Sequence, residues 1–370
     1  MFRTGTRKIK NHHKIKIEFE IDQTTENKIM KAVVASQQAG PLNLVTDYTK
    51  PSAADDEVII QIHASAVNPV DWKQHHLGLA VPSFPWVYGC DVAGVITEVG
   101  KNVSKSFKLG DRVYTFSGIG VNGAGGFAEY IRGRPELLGK MPDWMSFEDA
   151  ATLGCGLLTA YDMVATVQRE AAGNDAKQSA RHPTPPVLVY GASSSVGLYA
   201  VQLAKLYGHK VVAVASKKHE SLLKSYGADH VIDYRENGWD KQAIKALGGT
   251  SSKAAAIDAI SLPDTLTKCA EIVKACDGVV VSRTLPLPPS NEYYFDTVHM
   301  VTAFVLDAYV EGKADAYFKY ATLINGLVET EKIKPNPTRV LGGLDKVSEA
   351  LELFRTGAVS GEKLVIKNRE

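Results

Sequence analysis

The stretch Val187-Leu-Val-Tyr190-Gly191-Ala-Ser-Ser-Ser-Val-Gly197-Leu198-Tyr-Ala-Val-Gln-Leu-Ala-Lys205 decides the fold. A short apolar strand runs into a glycine-bearing turn, and an apolar run then opens a helix. In that order, backbone N–H groups at the helix N-terminus can meet a pyrophosphate, whose charge the helix dipole favours. Gly191, Ser193, Ser194, Ser195, Val196 and Gly197 are therefore the expected phosphate-end residues, with Gly197 letting the helix lie close to the strand. A plain strand-to-helix turn without a ligand is the competing reading.

Outward from this turn, strand and helix alternate. Strands are expected over 210–216, 230–234, 254–260 and 278–282, with a helix at 196–207 before the first of them and one at 220–226 between the first two. Apolar strands such as Val211-Val212-Ala213-Val214 imply a parallel sheet covered on both faces, a doubly wound α/β domain. Where this sheet type selects NAD with an acidic residue about 20 residues beyond the turn, the chain has Ser216, followed by Lys217 and Lys218. A hydroxyl and cations suit a 2′-phosphate that an aspartate would repel, so NADPH is the expected cofactor. The bland alternative is a Ser216 that only caps the next helix beside solvated lysines.

Upstream, short strands at 32–35, 57–66, 92–99 and 112–116 are separated by Pro, Gly and Asp turns, a mostly β texture. A polar stretch over 171–186 divides the two textures. An amphipathic helix over 347–354 and a last strand over 363–366 are expected to return to the first domain. Residues 1–29 stand apart: Ile15, Ile17, Phe19 and Ile21 alternate with Lys16, Glu18 and Glu20 as a strand would, and the segment is left unassigned.

The 370 residues, 45% apolar and 22% charged, suit a soluble two-domain protein. With 42 basic against 41 acidic residues and no basic stripe interleaved with aromatics, nucleic-acid binding is not expected. Neither an uninterrupted apolar run of about 20 residues nor a cleavable leader is evident, so a cytoplasmic, membrane-free protein is expected. Cys90, Cys155, Cys269 and Cys276 are too scattered for a disulfide framework and are read as reduced thiols.

From Met30 onward the chain resembles the medium-chain dehydrogenase/reductase family, in its zinc-independent quinone oxidoreductase and trans-acting enoyl reductase branch. The resemblance rests on Ala66-Val-Asn68-Pro69-Val-Asp71-Trp72-Lys73, Gly89-Cys-Asp91-Val-Ala-Gly94, Gly110-Asp111-Arg-Val, Gly125-Gly-Phe-Ala-Glu-Tyr130, Leu158-Thr159-Ala-Tyr161, the dinucleotide turn and Leu223-Lys-Ser-Tyr-Gly227-Ala228-Asp229. The family's turn reads Ala-x-x-Gly-x-x-Gly, and Ser194 departs from its central glycine. The resemblance implies a GroES-like, mostly β catalytic domain over 30–160, a Rossmann doubly wound domain over 161–320 and a return to the catalytic domain over 321–370. It also implies that Ser216, Lys218 and Tyr234 hold the 2′-phosphate, that Asn68 and Lys73 line the nicotinamide end, and that Thr159 approaches the carboxamide.

In the family's alcohol dehydrogenases a catalytic zinc sits at positions that Asn68, Cys90 and Cys155 occupy here. A neutral amide is a poor replacement for a thiolate, so no metal is expected and the cysteines are read as buried packing. Without a metal the substrate must accept hydride readily: a small, apolar conjugated carbonyl or a quinone. Lys73 is the expected electrostatic residue; a proton would come from water, Tyr88 or Tyr161. Phe84, Trp86, Tyr114, Phe116, Tyr293, Tyr294 and Phe304 are candidate pocket aromatics. A carrier-protein partner is a further reading, with Lys73, His75 and His76 in one basic loop, as is an idle cofactor-binding scaffold, which has no chemical need of Asn68, Lys73 and Thr159. A homodimer is expected through edge pairing of the strand over 278–282.

Overall fold

The computed structural model describes residues 28–103, 106–172, 184–284, 297–302 and 314–369. The N-terminal extension up to residue 27, most of the polar stretch over 171–186, and Tyr293, Tyr294 and Phe304 lie outside the described residues. The first half runs β1 (Ile29–Ala35), β2 (Leu42–Thr49), β3 (Val58–Ala66), α1 (Pro69–Leu77), β4 (Trp86–Val87), β5 (Asp91–Val99), β6 (Arg112–Phe116), β7 (Tyr130–Gly133), β8 (Leu138–Lys140), α2 (Phe147–Ala150) and the long α3 (Cys155–Ala172). The second half runs β9 (Val187–Tyr190), α4 (Ser195–Leu206), β10 (Val211–Val214), α5 (Glu220–Ser225), β11 (His230–Ile232), α6 (Trp239–Leu247), β12 (Ala255–Asp258), α7 (Pro263–Ala275), β13 (Val280–Arg283), β14 (His299–Thr302), α8 (Ala314–Glu329), β15 (Thr338–Gly342), α9 (Val347–Arg355) and β16 (Lys363–Lys367).

Six parallel strands order β11-β10-β9-β12-β13-β14, so the order reverses between β9 and β12. In a doubly wound sheet a ligand binds at that switch point, beyond the carboxyl ends of the strands. Alternation splits the strands between two cores: Val187, Val189, Val211 and Ala213 enter one, Leu188, Val212, Val214 and Ala256 the other. Each buried valine or leucine among them contributes roughly 1.5–3 kcal/mol, which is why strands this short are held firmly.

β3, β5, β6, β7, β8, β15 and β16 form the mostly β half's main sheet, and β1 joins β2 and β4 in a second. β16 pairs antiparallel with β3, which carries residues near the C-terminus beside those that follow β3. The chain is thus a Rossmann sheet joined to a GroES-like half, as the resemblance implied.

Two expectations change. Lys73, His75 and His76 lie on a helix rather than in a loop: Pro69 sits at its first turn, Asp71 Oδ2 accepts the Asn68 N–H at 2.7 Å, and Gly78 ends it at φ 68°. The strand expected over 278–282 is not an edge, because β14 pairs with β13 on its outer side. The stretch Phe147–Ala171 is long and apolar enough to cross a membrane by length and composition, yet 83% of its most apolar window is buried in this fold.

Candidate active site

A cavity of about 340 Å³ opens at the switch point, between the N-termini of α1, α3 and α4 and the return segment before β16. Its polar lining includes Asn68, Lys73, Thr159, Ser193, Ser194 and Ser195; its apolar lining includes Val70, Leu79, Ile119, Ile260, Phe354 and Val359.

At the turn, Gly191 takes φ 67°, a conformation that suits glycine. Ser194 caps α4, its Oγ accepting the Gly197 N–H at 3.1 Å. That bond leaves the hydroxyl proton free to donate. A Cβ on Gly197 would stand 2.3 Å from the Gly191 carbonyl oxygen, so helix and strand meet as closely as a pyrophosphate cradle requires. Asn336, missed in the sequence, donates to Ser195 Oγ at 2.9 Å.

At the end of β10, Ser216 is nearly buried, while Lys218 is exposed and Tyr234 is 45% exposed. Arg235 is the unforeseen neighbour. Its Nη2 donates to Ser216 Oγ at 2.9 Å and lies 2.5 Å from Asp233 Oδ2. The hydrogen-bonded guanidinium holds the Asp233 carboxyl well below the usual carboxylate range, helped by the Lys217 N–H. The arrangement presents a cation with its counter-charge already satisfied behind it. The sequence signal for Arg235 is its place directly after Asp233 and Tyr234.

At the opposite end, Thr159 Oγ1 donates to the Cys155 carbonyl at 2.7 Å, leaving its lone pairs to accept. Burial lowers the pKa of Lys73, and among the described residues no carboxylate pairs with it. Asn68 is turned into the wall: its Nδ2 donates to Asp91 Oδ2 at 2.8 Å, and its Oδ1 accepts from Lys363 Nζ at 2.5 Å. The Cys155 thiol raises the pKa of Cys90 by hydrogen bonding, and burial adds to it. Among the described residues no group of three or more His, Cys, Asp or Glu is placed to hold a metal ion.

The two candidate tyrosines and the described candidate aromatics lie elsewhere. Tyr88 packs on the His75 ring at 5.6 Å, and burial pushes its hydroxyl up to about 12. Tyr161 packs edge-on against Tyr207 and tilted against Tyr320, its hydroxyl also pushed up by burial. Neither lines the cavity. Phe84, Trp86, Tyr114 and Phe116 belong to the cores, with the Tyr114 hydroxyl donating to Asn325 Oδ1 at 2.7 Å. His75 faces inward too, its Nε2 2.8 Å from the Gly40 carbonyl, which removes it from the expected basic patch. Composition does not distinguish a pocket aromatic from a core one.

Comparison with known proteins follows this geometry. Residues 54–143 match the alcohol dehydrogenase GroES-like domain, and residues 195–304 match the family described as zinc-binding dehydrogenase. The trans-enoyl reductase ACTTS2 of Alternaria alternata is 35% identical over 87% of this chain and 95% of its own. Among solved structures, an alcohol dehydrogenase superfamily protein from Novosphingobium aromaticivorans aligns over 92% of this chain and 100% of its own at TM-score 0.77 and 24% identity. The CurK enoyl reductase aligns over 92% and 99% at TM-score 0.75 and 18% identity. Quinone oxidoreductases share the fold as well. The chain belongs to the medium-chain dehydrogenase/reductase family, in the branch of the trans-enoyl reductases, and is a nicotinamide-dependent oxidoreductase.

Proposed function

We propose that the protein is a zinc-independent, NADPH-dependent reductase of carbon–carbon double bonds conjugated to a carbonyl, with quinones as related acceptors. The observation that carries the reading is the cavity itself. It joins a dinucleotide turn to an apolar chamber that holds a lysine without a carboxylate partner.

Gly191, Ser193, Ser194, Ser195, Val196 and Gly197 would hold the pyrophosphate. Ser216, Lys218, Tyr234 and Arg235 would hold the 2′-phosphate, Arg235 through Nη1, since its Nε and Nη2 are engaged by Asp233 and Ser216. Thr159, whose proton is committed to the helix, would accept from the carboxamide. When bound, the nicotinamide supplies hydride to the β-carbon. Lys73 stabilises negative charge growing on the substrate's carbonyl oxygen, and the apolar walls exclude water, which strengthens that attraction. With both tyrosines outside the cavity, the proton at carbon comes from water. Zinc independence is supported by Asn68, both ends of whose amide are engaged with Asp91 and Lys363.

A second reading, an enoyl chain tethered to a carrier protein, is favoured by the named activity of relatives such as the Aspergillus sclerotiorum trans-enoyl reductase, 31% identical over 91% of this chain. Half-buried His76 and exposed Lys217 would be offered to such a carrier. We further infer a cytoplasmic location and a homodimer.

The test is NADPH oxidation by the purified protein with enones, enals, quinones, enoyl thioesters and simple ketones, with NADH and a chelator as controls. Chelator-resistant, NADPH-selective turnover of conjugated alkenes or quinones supports the proposal. Turnover confined to carrier-bound thioesters selects the second reading. Tight NADPH binding without turnover of any acceptor points to a scaffold, and chelator-sensitive ketone reduction overturns the metal-free chemistry.

A further inference from the structure

Lys363 is fully buried, as is Asp91, whose Oδ2 lies 3.2 Å from its Nζ. A buried ion pair gains little stability over well-packed apolar side chains, so its presence at the cavity wall calls for a reason. The two charges are not symmetrically placed. Lys363, Asn68 and Cys155 line the cavity; Asp91 and Cys90 do not. The Lys363 side chain is itself fully buried, so its ammonium acts on the cavity through Asn68, which lines the cavity and accepts from it through Oδ1.

Asn68 is locked between them. Lys363 only donates and Asp91 only accepts, so the amide has a single satisfying orientation, Oδ1 to the ammonium at 2.5 Å and Nδ2 to the carboxylate at 2.8 Å. Asp91 Oδ1 also accepts the Cys155 N–H at 2.6 Å, which ties the start of α3 to the same pair. Four residues from distant parts of the chain thus form one rigid wall.

We infer that Lys363 is a positioning residue for the reduction: paired with Asp91, it orients Asn68 and supplies a fixed positive potential at the wall facing the developing enolate. Lys73 then stabilises that charge directly, and Lys363 does so through the oriented wall. The inference rests on the reductase reading.

The experiment uses the full chain and its Lys363→Met, Lys363→Arg and Asp91→Asn/Lys363→Met variants, assayed with 2-cyclohexenone and a hexenoyl thioester of N-acetylcysteamine. Lys363→Met strands a buried carboxylate, which endangers folding; the double variant removes both charges and decides the matter. It is expected to melt within a few degrees of wild type and to bind NADPH equally well. Its kcat should fall at least about tenfold with KM within about threefold, and Lys363→Arg should exceed Lys363→Met in kcat. A double variant with wild-type kcat, or a loss of kcat matched by an equal loss of NADPH affinity, would assign the pair to structure alone and overturn the inference. A readout without turnover separates it from the reductase reading: 4-nitrophenol, an enolate mimic, should ionise at lower pH in wild-type protein than in the double variant. Wild-type protein that shifts this ionisation but reduces no acceptor sinks the reductase reading, whereas a shift that is identical in the double variant sinks the role of Lys363.

Discussion

Individual side chains in this site are defined by what surrounds them. Because burial lowers the pKa of Lys73, its positive charge is present below that value and lost above it. The alkaline limb of kcat/KM should therefore fall before the pH near 10.4 at which an unperturbed lysine titrates. Lys73→Met should flatten that limb and reduce kcat by about 10- to 100-fold; an unchanged pH profile in the variant would remove Lys73 from the mechanism. Arg235 is tested by cofactor choice. Losing a charge-assisted hydrogen bond to phosphate is worth roughly 1.5–3 kcal/mol, so Arg235→Ala should raise KM for NADPH about tenfold or more while leaving KM for NADH unaltered. Equal effects on both cofactors would contradict the assignment. Asp71, at the base of α1, gives a stability prediction. Burial pushes its pKa up to about 7, whereas an unfolded aspartate titrates near pH 4. Between about pH 4 and about pH 7 the folded protein holds the extra proton, so this group makes stability fall as pH rises. Asp71→Asn keeps an oxygen to accept the Asn68 N–H and removes the titration. The difference in urea-unfolding free energy between pH 5 and pH 7 should shrink by on the order of 2 kcal/mol; an undiminished difference would show that Asp71 is not its source.

Among the elements, α4 shows where sequence reading works and where it stops. Its strand, turn and cap are contiguous, so the apolar run, the Gly191 turn and the Ser194 cap are all encoded within one local stretch, and the observed helix starts within one residue of expectation. The final strand and the helix before it are legible for the same reason. What supports the site is not local. Lys363 meets Asn68 across 295 positions and Asn336 meets Ser195 across 141, and neither pair has a sequence pattern. β14 escaped notice because four residues are too few to display a period, and so the strand inside it was mistaken for an edge. The cap itself is testable. Ser194→Ala removes the acceptor for the Gly197 N–H and should cost about 1 kcal/mol of stability, whereas Ser194→Gly should cost only a few tenths. Thermal melts of the two variants rank them, and an Ala variant no less stable than the Gly variant would show that the capping bond contributes nothing.

At the scale of the molecule, the segment leading into β16 joins the two halves across the cleft. Lys363 enters the wall beside β3, two residues after Gly361 donates its N–H to the Ser193 carbonyl at 3.1 Å, on the phosphate turn. Ser360 Oγ lies 2.9 Å from His219 Nε2, just past the Ser216 loop. One short stretch thus touches the substrate wall, the phosphate turn and the loop proposed to choose the cofactor. Gly361 is what permits the contact: it sits at φ 76°, and a Cβ there would come within 2.4 Å of the His219 ring. Gly361→Ala combines a left-handed backbone cost of roughly 1–2 kcal/mol with that clash, so it should weaken NADPH binding several-fold in fluorescence titrations while the protein stays folded. Adding His219→Ala relieves the clash and leaves the backbone cost. Partial recovery of affinity in the double variant would divide the effect between the two causes. An affinity that stays at the wild-type level in Gly361→Ala would mean that this bridge plays no part in holding the cofactor.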